Sequence, residues 1–305
     1  MERRYIIGID IGGTNFRIGA AGRDPFSCRI HFRKVPIGEV FRSKFPIEDL
    51  KTYLSRYMQD LRKEGKRPEA VCIGFPATLD QERRVVLQAP NIPFMENLPV
   101  ADELEKTLGI SVKIERDVCL SLIFDKEKYG LSDRGIICGI YFGTGIGNAI
   151  MIDGKLLLGK DGAAGEIGHI PVDGSREMCG CGKMGCMENL AGGKYLAKLC
   201  RERYVHTPVQ EMFVRHAKDP ELQQFIERMA MTAATEINIL NPDYMVLGGG
   251  VINMAEFPRE LLRERILFHT RRPYPAQGLN LLFAEDEKDK AVVGAALYAR
   301  KNLGW

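Results

Sequence analysis

Along this chain, short strand-like blocks, most of them nearly continuous apolar runs, give way to blocks in which apolar residues recur every three or four. The first pattern predicts strands over 5–9, 16–20, 70–75, 85–88, 112–115, 136–142, 149–152, 244–247 and 279–283. The second predicts a helix over 47–64, where Leu50, Leu54, Tyr57 and Leu61 line one face and Gly65 stands at the expected stop. Val100, Leu104 and Leu108 make a shorter stripe closed by Gly109. Leu222, Phe225, Met229, Ala233, Ile237 and Leu240 make a longer one that ends before Pro242, and a last helix covers 289–301. Strands and helices interleaved in this way define an α/β protein.

One pattern occurs twice. IIGIDIGGTNFRIGA is a buried strand, a Gly-Gly-Thr turn and a second strand; ICGIYFGTGIGNAIMIDG repeats strand, Gly-Thr-Gly turn and strand. Two copies of one hairpin imply two domains of similar topology, 1–117 and 118–288, with the crossing at the helix that starts at Asp117.

Composition narrows the function classes. A 305-residue chain that is 45% hydrophobic and 27% charged has material for two cores and no disordered tract. With a net charge of +3 and no basic run, neither nucleic acid nor an anionic membrane is an expected partner, which leaves small molecules. The start, MERRYIIGIDIGGTN, is too short in apolar residues for a signal peptide and no membrane-length run follows, so a cytoplasmic protein is expected. In that reducing setting Cys28, Cys72, Cys119, Cys138 and Cys200, scattered singly, read as small hydrophobes.

The glycine turns carry the first candidate chemistry. A phosphate needs several backbone N–H groups aimed at one point, which requires a tight turn without side chains in the way. Gly12-Gly13-Thr14 and Gly143-Thr144-Gly145 both qualify, although either alone could be an ordinary hairpin turn. Asp10 ends the first strand beside its turn, where a carboxylate suits Mg²⁺ or its waters. Leu247-Gly248-Gly249-Gly250 follows a strand at its carboxyl end and offers either bare backbone for a base and ribose or a tight strand-to-helix corner. No P-loop or dinucleotide turn is present in the sequence.

The remaining three cysteines are crowded into HIPVDGSREMCGCGKMGCMEN. Cys179, Cys181 and Cys186, with His169 ahead of them and Gly180, Gly182 and Gly185 between, match a closed Cys₃His tetrahedral Zn²⁺ site. A disulfide with a spare thiol is disfavoured in a reducing compartment, and a redox pair would show C-x-x-C spacing. With four protein ligands the metal is structural, tying down a loop flanked by Glu166 and Glu188.

These motifs together resemble the ROK family of sugar kinases and repressors: D-x-G-G-T near the start, G-E-x-G-H at 165–169, C-x-C-G-x-x-G-C-x-E at 179–188 and L-G-G-G at 247–250, in order along essentially the whole chain. The resemblance implies an actin-like ATPase (ribonuclease H-like) two-domain α/β fold with a ligand cleft between the domains, the C-terminal helix 289–305 packing back on the first domain and the zinc site in the second. It implies ATP and Mg²⁺, a structural Zn²⁺, a hexose substrate and a homodimer. Matched position by position, Asp117 is the catalytic base, and Asn91, Arg116, Glu166, His169 and Glu188 contact the sugar with Asp117. Asp10, Gly12, Gly13 and Thr14 form the first phosphate loop, Gly143, Thr144 and Gly145 the second, and Gly248 and Gly249 the adenosine corner.

Within the family, ERDVCLSL (115–122), AGEIGHIPV (164–172) and NPDYMVLGGGVINMAEFPRE (241–260) resemble the allose-phosphorylating branch. Arg116-Asp117 stands where Asn-Asp is usual in the glucose and fructose branches, Asn15 where many members have lysine, and Ala77 where a Pro-Gly pair is common. The resemblance therefore implies transfer of phosphate from ATP to the C6 hydroxyl of D-allose, ahead of a glucokinase or a broad hexose kinase. Arg116 either offers donors to O3 and O4 of the sugar or turns into a salt bridge with Glu115 or Asp125. An ordinary aspartate is ionised at neutral pH, so no tuning of Asp117 is expected. The family's repressors carry a DNA-binding domain ahead of the first loop, for which no room precedes Asp10, whereas a non-catalytic sugar sensor would keep every motif.

Overall fold

The computed structural model describes residues 3–22, 24–26, 31–89, 92 and 94–304, and the chain folds as two compact units. The first comprises 1–130, 158–164 and 287–305, the second 131–157 and 165–286. The crossing thus falls after Gly130 and not at Asp117, because the helix that begins at Asp117 packs within the first unit.

In the first unit β1 (Arg3–Ile11), β2 (Asn15–Ala21) and β3 (Arg33–Pro36) form an antiparallel run. The short α1 (Ile37–Val40) and the long α2 (Pro46–Lys63) lead to β4 (Lys66–Phe75), which lies parallel to β1. A small hairpin, β5 (Thr78–Leu79) with β6 (Val86–Gln88), precedes α3 (Val100–Leu108), then β7 (Ser111–Arg116), parallel to β4, and α4 (Asp117–Lys128). The sheet order is β3-β2-β1-β4-β7.

Both faces of this sheet are covered, which is why β1 reads as an almost unbroken apolar run. Ile7, Ile9 and Ile11 meet Leu50, Leu54, Tyr57 and Leu61 of α2 on one face, as the helical stripe predicts. Ile6, Ala70 and Cys72 meet Leu120 and Phe124 of α4 and Val292, Val293 and Ala296 of the C-terminal helix Lys290–Leu303 on the other. That helix lies so close that a Cβ on Gly8 would sit 2.1 Å from the Val292 carbonyl oxygen. α2 starts with Pro46 at its first turn beside Glu48 and Asp49, ends on Arg62 and Lys63, and hands over to Gly65 at φ +70°.

The second unit repeats the plan. β8 (Ile136–Phe142), β9 (Ile146–Ile152) and β10 (Lys155–Leu156) are antiparallel neighbours. After α5 (Glu188–Ala191), α6 (Gly193–Glu202), α7 (Met212–His216) and α8 (Pro220–Leu240) come β11 (Tyr244–Gly248), which pairs parallel with β8, α9 (Arg259–His269) and β12 (Asn280–Phe283), which pairs parallel with β11. The order β10-β9-β8-β11-β12 matches the first sheet position for position, and the two echoed Gly-Thr turns join the equivalent strand pairs β1–β2 and β8–β9. This duplicated sheet is the actin-like ATPase fold. Phe225, Met229, Ala233 and Ile237 of α8 pack on Cys138, Ile140 and Phe142 of β8, and α8 stops at Asn241, held at φ +46° ahead of Pro242. Sequence reading missed helices α6 and α9: the first carries an apolar face through Leu196 and Leu199 but opens on Gly192-Gly193, which reads as a breaker, and the second follows Pro258 with a weakly segregated surface. Among the described residues no helix is long and apolar enough to cross a membrane.

Candidate active site

In the first unit the turn after β1 is closed by the Gly12 N–H donating to the Asn15 carbonyl at 2.9 Å. Asn15, in the lysine position of many family members, donates from Nδ2 to Thr14 Oγ1 at 2.8 Å. The cation beside this loop is Arg17 instead. It lies directly across the hairpin from Asp10, and its Nη1 is 2.5 Å from Asp10 Oδ2. Sequence reading missed Arg17; antiparallel register across a known turn would have found it, since the pair is symmetric about Gly13-Thr14. Burial raises Asp10 above the usual carboxylate range despite the charge and hydrogen bond of Arg17.

Asp117 sits where β7 ends and α4 begins, with Oδ1 accepting the Val118 N–H at 2.8 Å. Its carboxyl is pushed up to about 7, first by burial and next by the negative charge of Asp10. The expectation that it needs no tuning is therefore corrected: β1 and β7 both run parallel to β4, so two carboxylates meet at the same end of one sheet. Two anionic groups so placed suit a divalent cation such as Mg²⁺.

Arg116 immediately precedes Asp117 at the end of β7. Its Nη1 donates to the Ala164 carbonyl at 2.7 Å, while Glu115 pairs with Arg83 and Asp125 with Lys290. Asn91, expected to reach a sugar hydroxyl, lies outside the described residues, as does Cys28.

In the second unit the Gly143-Thr144-Gly145 turn is held from behind. The Gly193 and Lys194 N–H groups donate to the Gly143 and Thr144 carbonyls at 2.8 and 2.9 Å, and a Cβ on Gly193 would come within 2.6 Å of the Gly143 oxygen. Gly192-Gly193, unremarked in the sequence, is thus a second glycine pair that serves the same loop by close approach. Glu188, at the start of α5, accepts the Ile146 N–H at 2.9 Å, and its carboxylate occupies the space a side chain at Gly145 would need. At the carboxyl end of β11, a Cβ on Gly248 would meet the Tyr141 ring at 2.8 Å and one on Gly249, at φ +95°, the Phe142 backbone at 2.5 Å. Packing on β8 accounts for both glycines and makes a tight corner; a Cβ on Gly250 would meet nothing within 4 Å, so that glycine is the bare one.

His169, Cys179, Cys181 and Cys186 offer ligand atoms that all lie within 4.8 Å of one another. Cys179 Sγ is 3.6 Å from His169 Nδ1, and Cys181 Sγ is 3.7 Å from Cys186 Sγ. Tetrahedral Zn²⁺ with Zn–S of about 2.3 Å and Zn–N of about 2.0 Å sets its ligands about 3.5–3.8 Å apart, and these two separations match that ion. Gly182 and Gly185 take positive φ, +86° and +74°, to bring the sulfurs round. Burial, then hydrogen bonds with Cys181 and Cys179, push the Cys186 thiol up to about 12, whereas the Lys183 backbone N–H draws the exposed Cys181 thiol down. The other ring nitrogen, His169 Nε2, is 3.6 Å from Glu166 Oε2, the outer partner that orients a ligating imidazole.

A family model described as "ROK family" matches residues 6–302 of this chain. The chain is 27% identical to the glucokinase of Thermotoga maritima over the full length of both, and 29% identical to the N-acetyl-D-glucosamine kinase of Aliivibrio salmonicida over 83% of this chain and 88% of that one. The crystal structure of a ROK family glucokinase from Streptomyces griseus in complex with glucose and AMPPNP superposes with a TM-score of 0.77 at 26% identity, covering 97% of this chain and 99% of that one.

Proposed function

The chain belongs to the ROK family, and on that footing we propose that it is a cytoplasmic ATP-dependent kinase that phosphorylates the C6 hydroxyl of a hexose, D-allose above others. The observation that carries the kinase reading is Asp117: a carboxyl at the carboxyl end of β7, beside Asp10, that titrates near neutrality. A primary hydroxyl is a weak nucleophile that water outcompetes unless it is oriented, so the enzyme's task is positioning. Asp117 accepts the hydrogen bond of the C6 hydroxyl, aims its lone pair and takes the proton as the new P–O bond forms. The backbone N–H groups of Gly13 and Thr14 in the first turn and of Thr144 and Gly145 in the second supply donors for the phosphates, those of Gly12 and Gly143 closing the turns themselves, and the adenosine lies against the corner at Gly248–Gly250. Mg²⁺ held near Asp10, when bound, neutralises phosphate charge. Glu166, His169, Glu188 and Asn91 contact sugar hydroxyls, and Zn²⁺ on His169, Cys179, Cys181 and Cys186, when bound, fixes the segment that carries the first three.

The allose reading is supported by the branch resemblance and by Arg116. Glucose and allose differ in the direction of the C3 hydroxyl, and the residue before the base here provides only donors on a guanidinium already anchored to Ala164. The relatives that act on glucose and N-acetyl-D-glucosamine support a second reading, a glucokinase or broader hexose kinase. A third, a non-catalytic sugar sensor, leaves the ionisable Asp117 without a use. The test is ADP release from MgATP with D-allose, D-glucose, D-mannose, D-fructose, N-acetylmannosamine and N-acetylglucosamine, compared by kcat/KM. Allose leading by tenfold or more is expected; another sugar in front removes the allose assignment, and turnover of none of them removes the kinase.

A further inference from the structure

Between β10 and Gly165 the chain leaves the second unit, and Leu158–Ala164 packs into the first before returning. Two buried arginines hold this strap by its carbonyls. Arg83, 6% exposed, donates from Nη1 to Gly162 at 3.1 Å, to Asp80 at 3.1 Å and to Leu79 at 3.4 Å; Arg116, also 6% exposed, donates to Ala164 at 2.7 Å. The strap has no slack: a Cβ on Gly162 would lie 2.4 Å from the Leu79 carbonyl oxygen, and the Ala164 N–H donates back to Leu158 at 3.0 Å.

Both arginines converge on Glu115, whose side chain is fully buried. Arg83 Nε lies 3.0 and 3.1 Å from its two oxygens, and Oε1 also accepts the backbone N–H of Arg116 at 2.8 Å. That N–H belongs to the residue preceding Asp117. Arg83 itself sits at φ +57°, a left-handed conformation in which glycine would be at ease and a long side chain is not. The side chain at this position makes four polar contacts, a use beyond filling a turn.

We propose that Arg83, Glu115 and Arg116 are positioning residues: one buried carboxylate sets the peptide that presents Asp117, and the two guanidiniums clamp the strap from which the chain departs for Gly165 and Glu166. The inference rests on the kinase reading for its effect on turnover and on geometry alone for the clamp. A buried ion pair replaced by apolar residues of similar size often keeps its stability, whereas removing one partner strands a charge. The decisive variant is therefore the double substitution Arg83→Met with Glu115→Met, studied as the full chain by hydrogen exchange and by steady-state kinetics.

The expected result is a cooperative fold with zinc content unchanged, exchange across 158–164 faster by about tenfold or more, and kcat lower by about tenfold or more with KM for MgATP within about twofold. Should the double variant not fold, Arg83→Lys keeps the charge but loses the fork, and exchange across the strap should rise there with Glu115 still paired. Unchanged strap exchange in the folded variant overturns the clamp. Faster exchange with unchanged kcat overturns the positioning role while leaving the kinase intact. If the unmodified protein turns over no sugar, the kinase reading falls, and the exchange measurement still decides the clamp.

Discussion

If Asp117 is the base, its protonation must govern turnover, and the structure sets the pH range. A carboxyl that titrates near 7 is about 9% ionised at pH 6, half ionised at pH 7 and about 90% ionised at pH 8. With MgATP saturating, Mg²⁺ in excess and sugar well below KM, kcat/KM should rise about fivefold from pH 6 to 7 and less than twofold from 7 to 8. Positive charge bound near Asp10 draws the midpoint down, because Asp10 is the second cause of the elevation, but burial is the first and persists. Asp117→Asn keeps the size and an acceptor for the Val118 N–H while abolishing the base. It should cost at least about 10²-fold in kcat, leave sugar affinity nearly unchanged and erase the acid limb. A coupled assay of ADP release from pH 5.5 to 8.5 at fixed ionic strength, on both proteins, reads all three. An acid limb centred near 4, a limb that survives in the variant, or near-normal turnover in the variant would refute the assignment.

The zinc site gives a second test: stripping the metal with a strong chelator should abolish turnover, and active protein should carry one zinc per chain by elemental analysis, with Cys181→Ser weakening retention; metal-free protein at full activity would contradict this. A third concerns Glu236 of α8, which is buried, accepts from Asn148 Nδ2 at 2.9 and 3.0 Å and is pushed up to about 7 by burial. A carboxyl raised in the folded chain favours folding most below its unfolded value near 4.5 and loses that contribution as pH rises through 7, by about 3 kcal/mol at most. Glu236→Gln should therefore gain stability relative to the unmodified protein between pH 5 and 8, measured by urea unfolding, and a difference independent of pH would show that Glu236 does not titrate there.

Much of this was legible from local order. The apolar run of β1, the stripe on α2 and the Pro46-to-Gly65 frame each depend on residues within one element, so periodicity finds them. The doubled hairpin and the Cys₃His spacing are legible for the same reason: a tight turn and a metal loop close over few residues, and the chemistry of glycine and thiolate is written in the residue types. What the chain could not announce is where long side chains end and what lies beside a carboxylate. Arg116 reaches a carbonyl 48 positions away and Arg83 one 79 positions away, and either guanidinium could have swung to other partners with no change in pattern. Gly192-Gly193 looks like a helix stop until the backbone of Gly143 and Thr144 is seen pressed against it. The elevation of Asp117 needs both burial and the approach of Asp10, two residues joined only because β1 and β7 flank β4 in one sheet. Residue type and spacing decide which local structures and ligands are possible; desolvation and pairing depend on three-dimensional neighbours, and only folding supplies those.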